Sequence, residues 1–273
     1  MDKKWRLYTS YNLWLQFSPA LGKEHWHCDM KRGFSKARNR EPQVSELLDP
    51  KTTPIGVGLL AQQGVYEFHQ NPMMLYQTDA VEKAAQILQL NNESEAVQER
   101  VISILTKYKA NPVLLGKNIV ELNRGDEGVP KPILIEHGNY QLNILAAMDC
   151  IFREKDGTLH ILDFKTGKSK FDRRQAYVYL LAASHLYPQQ KYVASFYNLE
   201  TCQWSEQITA TPSQLEAICI ELVRITQRHQ KDLISYKEDK ADFNRIFPPN
   251  PGSACRYCPF NSICDFSTSE AST

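Results

Sequence analysis

Residues 148–168, MDCIFREKDGTLHILDFKTGK, decide the fold. Glu154-Lys-Asp-Gly157 is a turn signal between two apolar, β-prone segments, so the stretch predicts strand, tight turn, strand. In TLHILDFK (158–165), Leu159, Ile161, Asp163 and Lys165 fall on one face and His160, Leu162 and Phe164 on the other. Two charges thus continue a row that begins apolar, which costs free energy unless they bind something. Asp149 lies near the end of the first strand, and the short turn brings it close to Asp163. Two carboxylates and an ammonium converge on one spot of the sheet.

Phosphodiester hydrolysis needs that donor set. Oxygen ligands hold Mg2+ or Mn2+, the metal polarises the phosphate and a water, and a cation helps place that water. Asp-x-Lys alone is a short pattern that recurs at surface strand ends. Its setting gives it weight: Asp-x13-Asp-x-Lys-Thr-Gly spans a strand, turn and strand, and a helix follows from about Asp172 to His185. Gln175 and Tyr179 sit one turn apart on that helix and face the same way, so amide and phenol can bond a phosphate or a catalytic side chain.

Further outward, KYVASFYNLE (191–200) and CQWSEQITA (202–210) pair as a hairpin, and Ser213-x-x-Glu216 caps a last helix with Leu215, Ile218, Cys219 and Leu222 on one face. Upstream, residues 56–68 and 94–109 have helical spacing, and Asp79-x-x-Glu82 forms a capping box before AAQILQL. Residues 110–131, with two prolines and three glycines, read as loop, and residues 132–151 as two extended segments. From Asn244 the chain is irregular. The order predicts an α/β or α+β layout with a mixed β-sheet, a helical N-terminal part and a Cys-rich C-terminal tail.

The 273 residues, 42% of them hydrophobic, are enough for one large domain or two small ones. No apolar run approaches the roughly 18–20 residues that span a bilayer. The opening MDKKWRLYTSYNLWLQF lacks the apolar core and cleavage site of a secretory signal, so a cytoplasmic protein is expected. A net charge of +1 does not announce a nucleic-acid binder. The basic runs Lys23–Arg40 and Lys165–Arg174 count as solvated surface until a site is found beside them.

Seven cysteines is an odd count for a disulfide framework. Cys150, Cys202 and Cys219 stand singly in apolar or alternating stretches and read as small core residues. Cys255, Cys258 and Cys264 form C-x2-C-x5-C, a spacing that ordinarily means metal, and Cys28 is the remaining cysteine in a polar stretch. Spacing alone leaves a zinc ion and an iron–sulfur cluster equally open, and His25 and His27 beside Cys28 keep zinc in view.

At Asp149, Asp163-Phe164-Lys165-Thr166-Gly167 and Gln175-Ala-Tyr-Val-Tyr179 the chain resembles the RecB-like branch of the PD-(D/E)XK nucleases. That branch includes the nuclease domains of bacterial recombination helicase–nucleases and a CRISPR-associated exonuclease. The resemblance implies an α/β fold with a restriction-endonuclease-like core, a mixed β-sheet flanked by helices. It implies that Asp149 and Asp163 hold Mg2+ or Mn2+ with the Phe164 carbonyl, that Lys165 orients or activates a water, and that Gln175 and Tyr179 support the site near DNA. Glu136 aligns with an acidic position upstream. The one distant cysteine with C-x2-C-x5-C resembles the cluster-bearing members, which implies Cys28, Cys255, Cys258 and Cys264 as ligands of a [4Fe–4S] cluster that pins the tail to the N-terminal region.

Two departures stand out. The family's G-x-x-x-H appears as Gly58-Leu-Leu-Ala-Gln62, with His69 two turns further on, and its G-x-x-D as Ala146-Ala-Met-Asp149. Gly167-Lys168-Ser169 imitates a Walker A end, but Leu162 stands where its first glycine belongs, so no ATP site is expected. The expectation is one nuclease domain over 1–273: a mainly helical part with Cys28 (1–131), the catalytic α/β core (132–235), a cluster-binding tail (236–266) and a disordered end (267–273). Its substrate would be DNA, cut exonucleolytically at ends or single strands in repair, recombination or defence, with room for a partner such as a helicase. The rival expectation, favoured by Gln62, is a weak or inactive nuclease fold that binds nucleic acid or protein.

Overall fold

The computed structural model describes residues 5–19, 22–48, 53–168 and 171–267. In chain order the elements are β1 (Trp5–Ser10), α1 (Tyr11–Leu15), α2 (Asp29–Ala37), α3 (Pro42–Leu47), α4 (Thr53–Gln70), α5 (Ala80–Ile87), α6 (Glu95–Ala110), β2 (Asn118–Leu122), β3 (Ile133–His137), β4 (Tyr140–Leu145), β5 (Cys150–Arg153), β6 (Leu159–Lys165), α7 (Arg173–Leu186), β7 (Tyr192–Asn198), β8 (Gln203–Trp204), α8 (Pro212–Glu238) and α9 (Phe243–Ile246). The chain divides into two compact units. One comprises Met1–Pro50, Leu134–Ile144 and Cys219–Thr273, the other Lys51–Ile133 and Leu145–Ile218. The expected disordered end lies, from residue 268, outside the described residues, as do Ser169 and Lys170 of the basic run.

The second unit is a five-stranded mixed sheet, ordered β2-β5-β6-β7-β8, with helices on it. As the EKDG turn requires, β5 and β6 are antiparallel, with Cys150 opposite Leu162 and Arg153 opposite Leu159. β6 and β7 are parallel, and α7 is the crossover between them, packed along β7. β8 closes the hairpin, Tyr197 opposite Trp204. Every residue of β6 from Leu159 to Phe164 is buried, so the strand is a sheet centre covered on both faces. Leu162 and Phe164 join the apolar cluster formed with α4, α5 and α6. His160 is tolerated there because both ring nitrogens are satisfied, Nδ1 2.9 Å from Glu154 Oε1 and Nε2 2.9 Å from Ser195 Oγ. Gly64 lets α4 lie against α6: a Cβ there would stand 2.4 Å from Leu105.

Several expectations are corrected. Residues 110–131 contain β2, an antiparallel edge strand on β5, whose pairing was hidden by the flanking prolines and glycines. Residues 132–151 divide among three strands: β3 and β4 belong to the other unit's sheet, and Asp149 precedes β5 where a strand end was expected. Asp79 precedes α5 but makes no cap; its carboxylate meets Lys83 Nζ at 3.1 Å. The box before α8 is Thr211 with Gln214, each side chain bonding the other's backbone N–H, in place of Ser213 with Glu216. Cys202 packs half-buried against the apolar cluster, but from the β7–β8 turn, with a left-handed φ of 57°, and not from a strand.

The first unit has a three-stranded sheet, β1-β4-β3, so the N-terminal part is not helical throughout. Beside it Met30 and Phe34 of α2 bury against Phe243, Phe247 and Phe260 of the tail. Arg32 is fully buried there. Its guanidinium bonds Asp29 and Asp232, each at 2.8 Å, and lies 4.2 Å from the Phe17 ring centre. Pairing on two sides and stacking on an aromatic face offset the desolvation of this buried cation.

Candidate active site

Antiparallel pairing carries Asp149 to Asp163. Cys150 opposes Leu162, so one residue further the two acids stand side by side at the sheet's end. Asp163 is buried on β6, and α7 supplies its partners. Asp163 Oδ1 accepts from Gln175 Nε2 at 2.9 Å and lies 2.7 Å from Tyr179 Oη. Lys165 Nζ is 2.6 Å from Asp163 Oδ2 and donates to Gln175 Oε1 at 2.9 Å. The Gln175 amide therefore has one possible orientation, oxygen to the lysine and nitrogen to the carboxylate, and it also donates to Tyr179 Oη at 2.7 Å. The single Tyr179 hydroxyl proton has two acceptors, Asp163 Oδ1 and Ala147 O, each at 2.7 Å.

Asp149 Oδ2 accepts the backbone N–H of Phe164 at 2.7 Å. Packing around this carboxyl raises its pKa well above the carboxylate range; the negative charge of Asp163 raises it further, while the Phe164 N–H, Lys165 and Gln62 oppose the shift. Burial, then the charges of Asp163 and Asp149, likewise push the Tyr179 phenol up, so the group acts as a neutral hydrogen-bonding partner. Lys165 keeps part of its surface open to solvent.

Gln62 reaches this cluster from α4. Its amide helps to hold the Asp149 carboxyl down, and its Nε2 donates to Asn123 O at 3.1 Å. His69 does not stand in for the family histidine. It lies 2.6 Å from Tyr108 Oη, and burial lowers its pKa to about 4. Glu136 is in the other unit, on β3, where it accepts from Gln141. Of the run 165–174, Arg174 pairs with the α7 cap Asp172 and Arg173 with Glu206.

Two groups of supporting residues escaped the reading of the sequence. Asn123 holds the segment of Asp149: its backbone N–H donates to Asp149 O at 2.8 Å and its amide to Met148 O at 2.7 Å. Behind Lys165, Gly167 turns with a φ of 82°, a conformation that suits glycine. Its N–H donates to Glu200 Oε1 at 2.9 Å, Asn198 Nδ2 donates to its carbonyl at 2.7 Å, and Arg100 clamps Glu200 from α6. These bonds join residues 25 to 100 positions apart, and no local pattern announces them.

In the first unit all four expected cysteines line one cavity of about 130 Å3, and His25 lines it as well. All four are half-buried, and Cys264 Sγ lies 3.5 Å from Met30 Sδ. Burial raises the pKa of Cys258 and Cys264, and the neighbouring cysteines add to the shift. Asn250 Nδ2 donates to His27 O at 2.7 Å, tying the tail to the segment before Cys28. Among the described residues no group of three or more His, Cys, Asp or Glu is arranged to hold a metal ion. None of their helices is long and apolar enough to cross a membrane.

The mixed sheet with flanking helices and the carboxylate–lysine cluster at its end are the architecture of a restriction-endonuclease-like core. The chain belongs to the PD-(D/E)XK nuclease superfamily, whose family profile matches residues 35–265. It is by family a hydrolase acting on nucleic acid, in a superfamily that typically uses Mg2+ or Mn2+. Among solved structures the crystal structure of SSO0001 is similar, at 16% identity over 76% of this chain and 94% of that one, with a TM-score of 0.33. No significant match was found among curated proteins.

Proposed function

We propose that this chain is a metal-dependent DNA nuclease of the RecB-like branch, acting exonucleolytically on DNA ends or single strands in repair, recombination or defence. The observation that carries the reading is the setting of Asp163: held by Lys165, Gln175 and Tyr179, it stands beside a second carboxylate whose ionisation its own charge opposes. Two carboxylates crowded into a buried site call for a compensating cation. Asp149 and Asp163, with the Phe164 carbonyl, would hold Mg2+ or Mn2+. When bound, that ion supplies positive charge against both carboxylates and against the charge developing on the phosphate. Lys165 presents its ammonium at the open side of the site, where it orients a water or a phosphate oxygen. Gln175 keeps Lys165 and Asp163 in register, and Tyr179 braces Gln175 and Asp163.

Gln62 favours a second reading, a weak or inactive nuclease fold that binds DNA or a partner such as a helicase. A neutral amide stands where relatives place an imidazole ligand, and it is already engaged with Asn123. For the four cysteines, the shared cavity supports a [4Fe–4S] cluster, with structural zinc as the alternative. The family profile runs through segments of both units, which supports one nuclease domain that includes residues 236–265. The test uses anaerobically purified protein with end-labelled single-stranded DNA, duplex DNA and RNA, in Mg2+, Mn2+ or EDTA. Metal-dependent shortening of DNA from its ends is expected. Binding without cleavage would select the second reading, and cleavage that survives EDTA would overturn the proposal.

A further inference from the structure

Lys36, Arg38, Arg40, Lys237 and Lys240 line one cavity of about 530 Å3 in the first unit, where Glu41 is the one acidic lining residue among those described. Glu41 is already neutralised. Arg38 grips its carboxylate through Nε and Nη2 at 2.6–2.9 Å, and this bond holds the Glu41 carboxyl below the usual range. The guanidinium is in turn set against the rings of Phe34 and Phe243, 4.9 and 5.1 Å from their centres. That leaves Lys36, Arg40, Lys237 and Lys240, all exposed and, among the described residues, without a close ion pair; Lys240 acts on Glu41 through its charge alone. Helix dipoles account for part of the set, since Lys36 and Lys237 occupy the last turns of α2 and α8. Arg40 and Lys240 lie outside both helices and have no such reason to be there.

We infer that this cavity grips the phosphodiester backbone of the nucleic-acid substrate, a contact separate from the residues that cleave it. The inference rests on the nuclease reading for the identity of the polymer, and on the cavity for the grip. A phosphate chain offers acceptors only, one charge per residue, and Lys36, Arg40, Lys237, Lys240 and the Asn39 amide offer donors. Unpaired cations gathered on one concave surface raise the local potential that draws a polyanion in.

The test combines Lys36→Gln, Lys237→Gln and Lys240→Gln in the full chain, all exposed positions. Binding of a fluorescent single strand of about thirty nucleotides is followed by anisotropy in EDTA across a salt series. With about 0.7 counterions released per phosphate contact, the variant should lose about 2 from the log–log salt slope and bind at least ~10-fold more weakly at low salt. In Mg2+, cleavage of the same strand should show a raised KM with kcat kept. Wild-type affinity and slope in the variant, or no DNA binding by the wild type, would overturn the inference. So would loss of poly-glutamate binding with DNA affinity kept, which would point to an acidic protein partner. If wild-type protein binds through this cavity but never cleaves, the grip stands and the nuclease reading fails. If it cleaves with binding untouched by the variant, the reverse holds.

Discussion

The carboxylate of Glu200, at the β7–β8 turn, accepts the backbone N–H of Gly167 at 2.9 Å and so holds the turn that follows Lys165. Arg100 pins the same carboxylate through Nε at 3.0 Å. A hydrogen bond to a charged group is worth roughly 1.5–3 kcal/mol, and it is here spent on aiming a strand end. Glu200→Ala should lower kcat about tenfold with KM little changed, because Lys165 loses its backing. Glu200→Gln, which can still accept from Gly167, should recover most of the rate. Equal loss in both variants would mean that the Arg100 ion pair matters and the Gly167 bond does not.

Asp163→Asn should abolish metal-dependent cleavage and leave the fold within about 1 kcal/mol of wild type, since an amide oxygen can still accept from Tyr179 and the repulsion with Asp149 is relieved. Lys165→Ala should be equally inactive while still binding DNA in EDTA. A wild-type cleavage rate in either variant would be fatal to the site assignment. Thermal melts and a gel assay, run side by side, decide it.

Gln62 bears on the choice of metal. Imidazole is softer than an amide oxygen and better suited to Mn2+ than to Mg2+. Gln62→His should therefore raise the ratio of Mn2+-supported to Mg2+-supported activity. An unchanged ratio would show that position 62 stays outside the coordination sphere.

For the cysteines, anaerobic protein is expected to be brown, with broad absorbance near ~400 nm. Cys28→Ser should lose colour, iron and thermal stability together, because closing a chain loop of this length removes several kcal/mol of denatured-state entropy at most. Cys150→Ser, Cys202→Ser and Cys219→Ser should keep their iron. Colourless protein with about one zinc per chain would select the zinc alternative. Full metal content in Cys28→Ser would transfer the fourth ligand to His25, which lines the same cavity.

His69 makes stability fall in mild acid. Its folded pKa of about 4 lies below the ordinary 6.5, so the unfolded chain takes up the proton first as pH drops. Its contribution is intact above pH ~6.5 and is lost progressively towards pH ~4, by at most about 3 kcal/mol and less because the ring keeps some solvent contact. Urea unfolding at pH 7.5 and pH 5 should show a smaller pH effect in His69→Gln than in wild type. His229 in the first unit, lowered to about 4 mainly by burial, will leave a residual slope.

Local pattern alone determined the parts of this protein whose physics is local. The EKDG turn and the apolar alternation of 158–165 define β5 and β6; because strand pairing through a tight turn has one register, they also bring Asp149 to Asp163. Helical spacing placed Gln175 and Tyr179 on one face of α7, and both reach Asp163. What the tertiary structure alone decided depends on partners far away in the chain. β2 exists because β5 offers it an edge, and its own residues lie among turn-formers that a local reading takes for loop. β3 and β4 join a three-stranded sheet with β1 and not the five-stranded one, a choice between sheets that alternation within a strand cannot express. Asn123, Asn198 and Glu200 hold the site through backbone bonds to segments 25 or more residues away, and such bonds leave no periodicity behind. The sequence singled out Asp163 and Lys165 because charges on a buried strand need a reason to be there; the residues that hold them in place answer to geometry, which only the folded chain supplies.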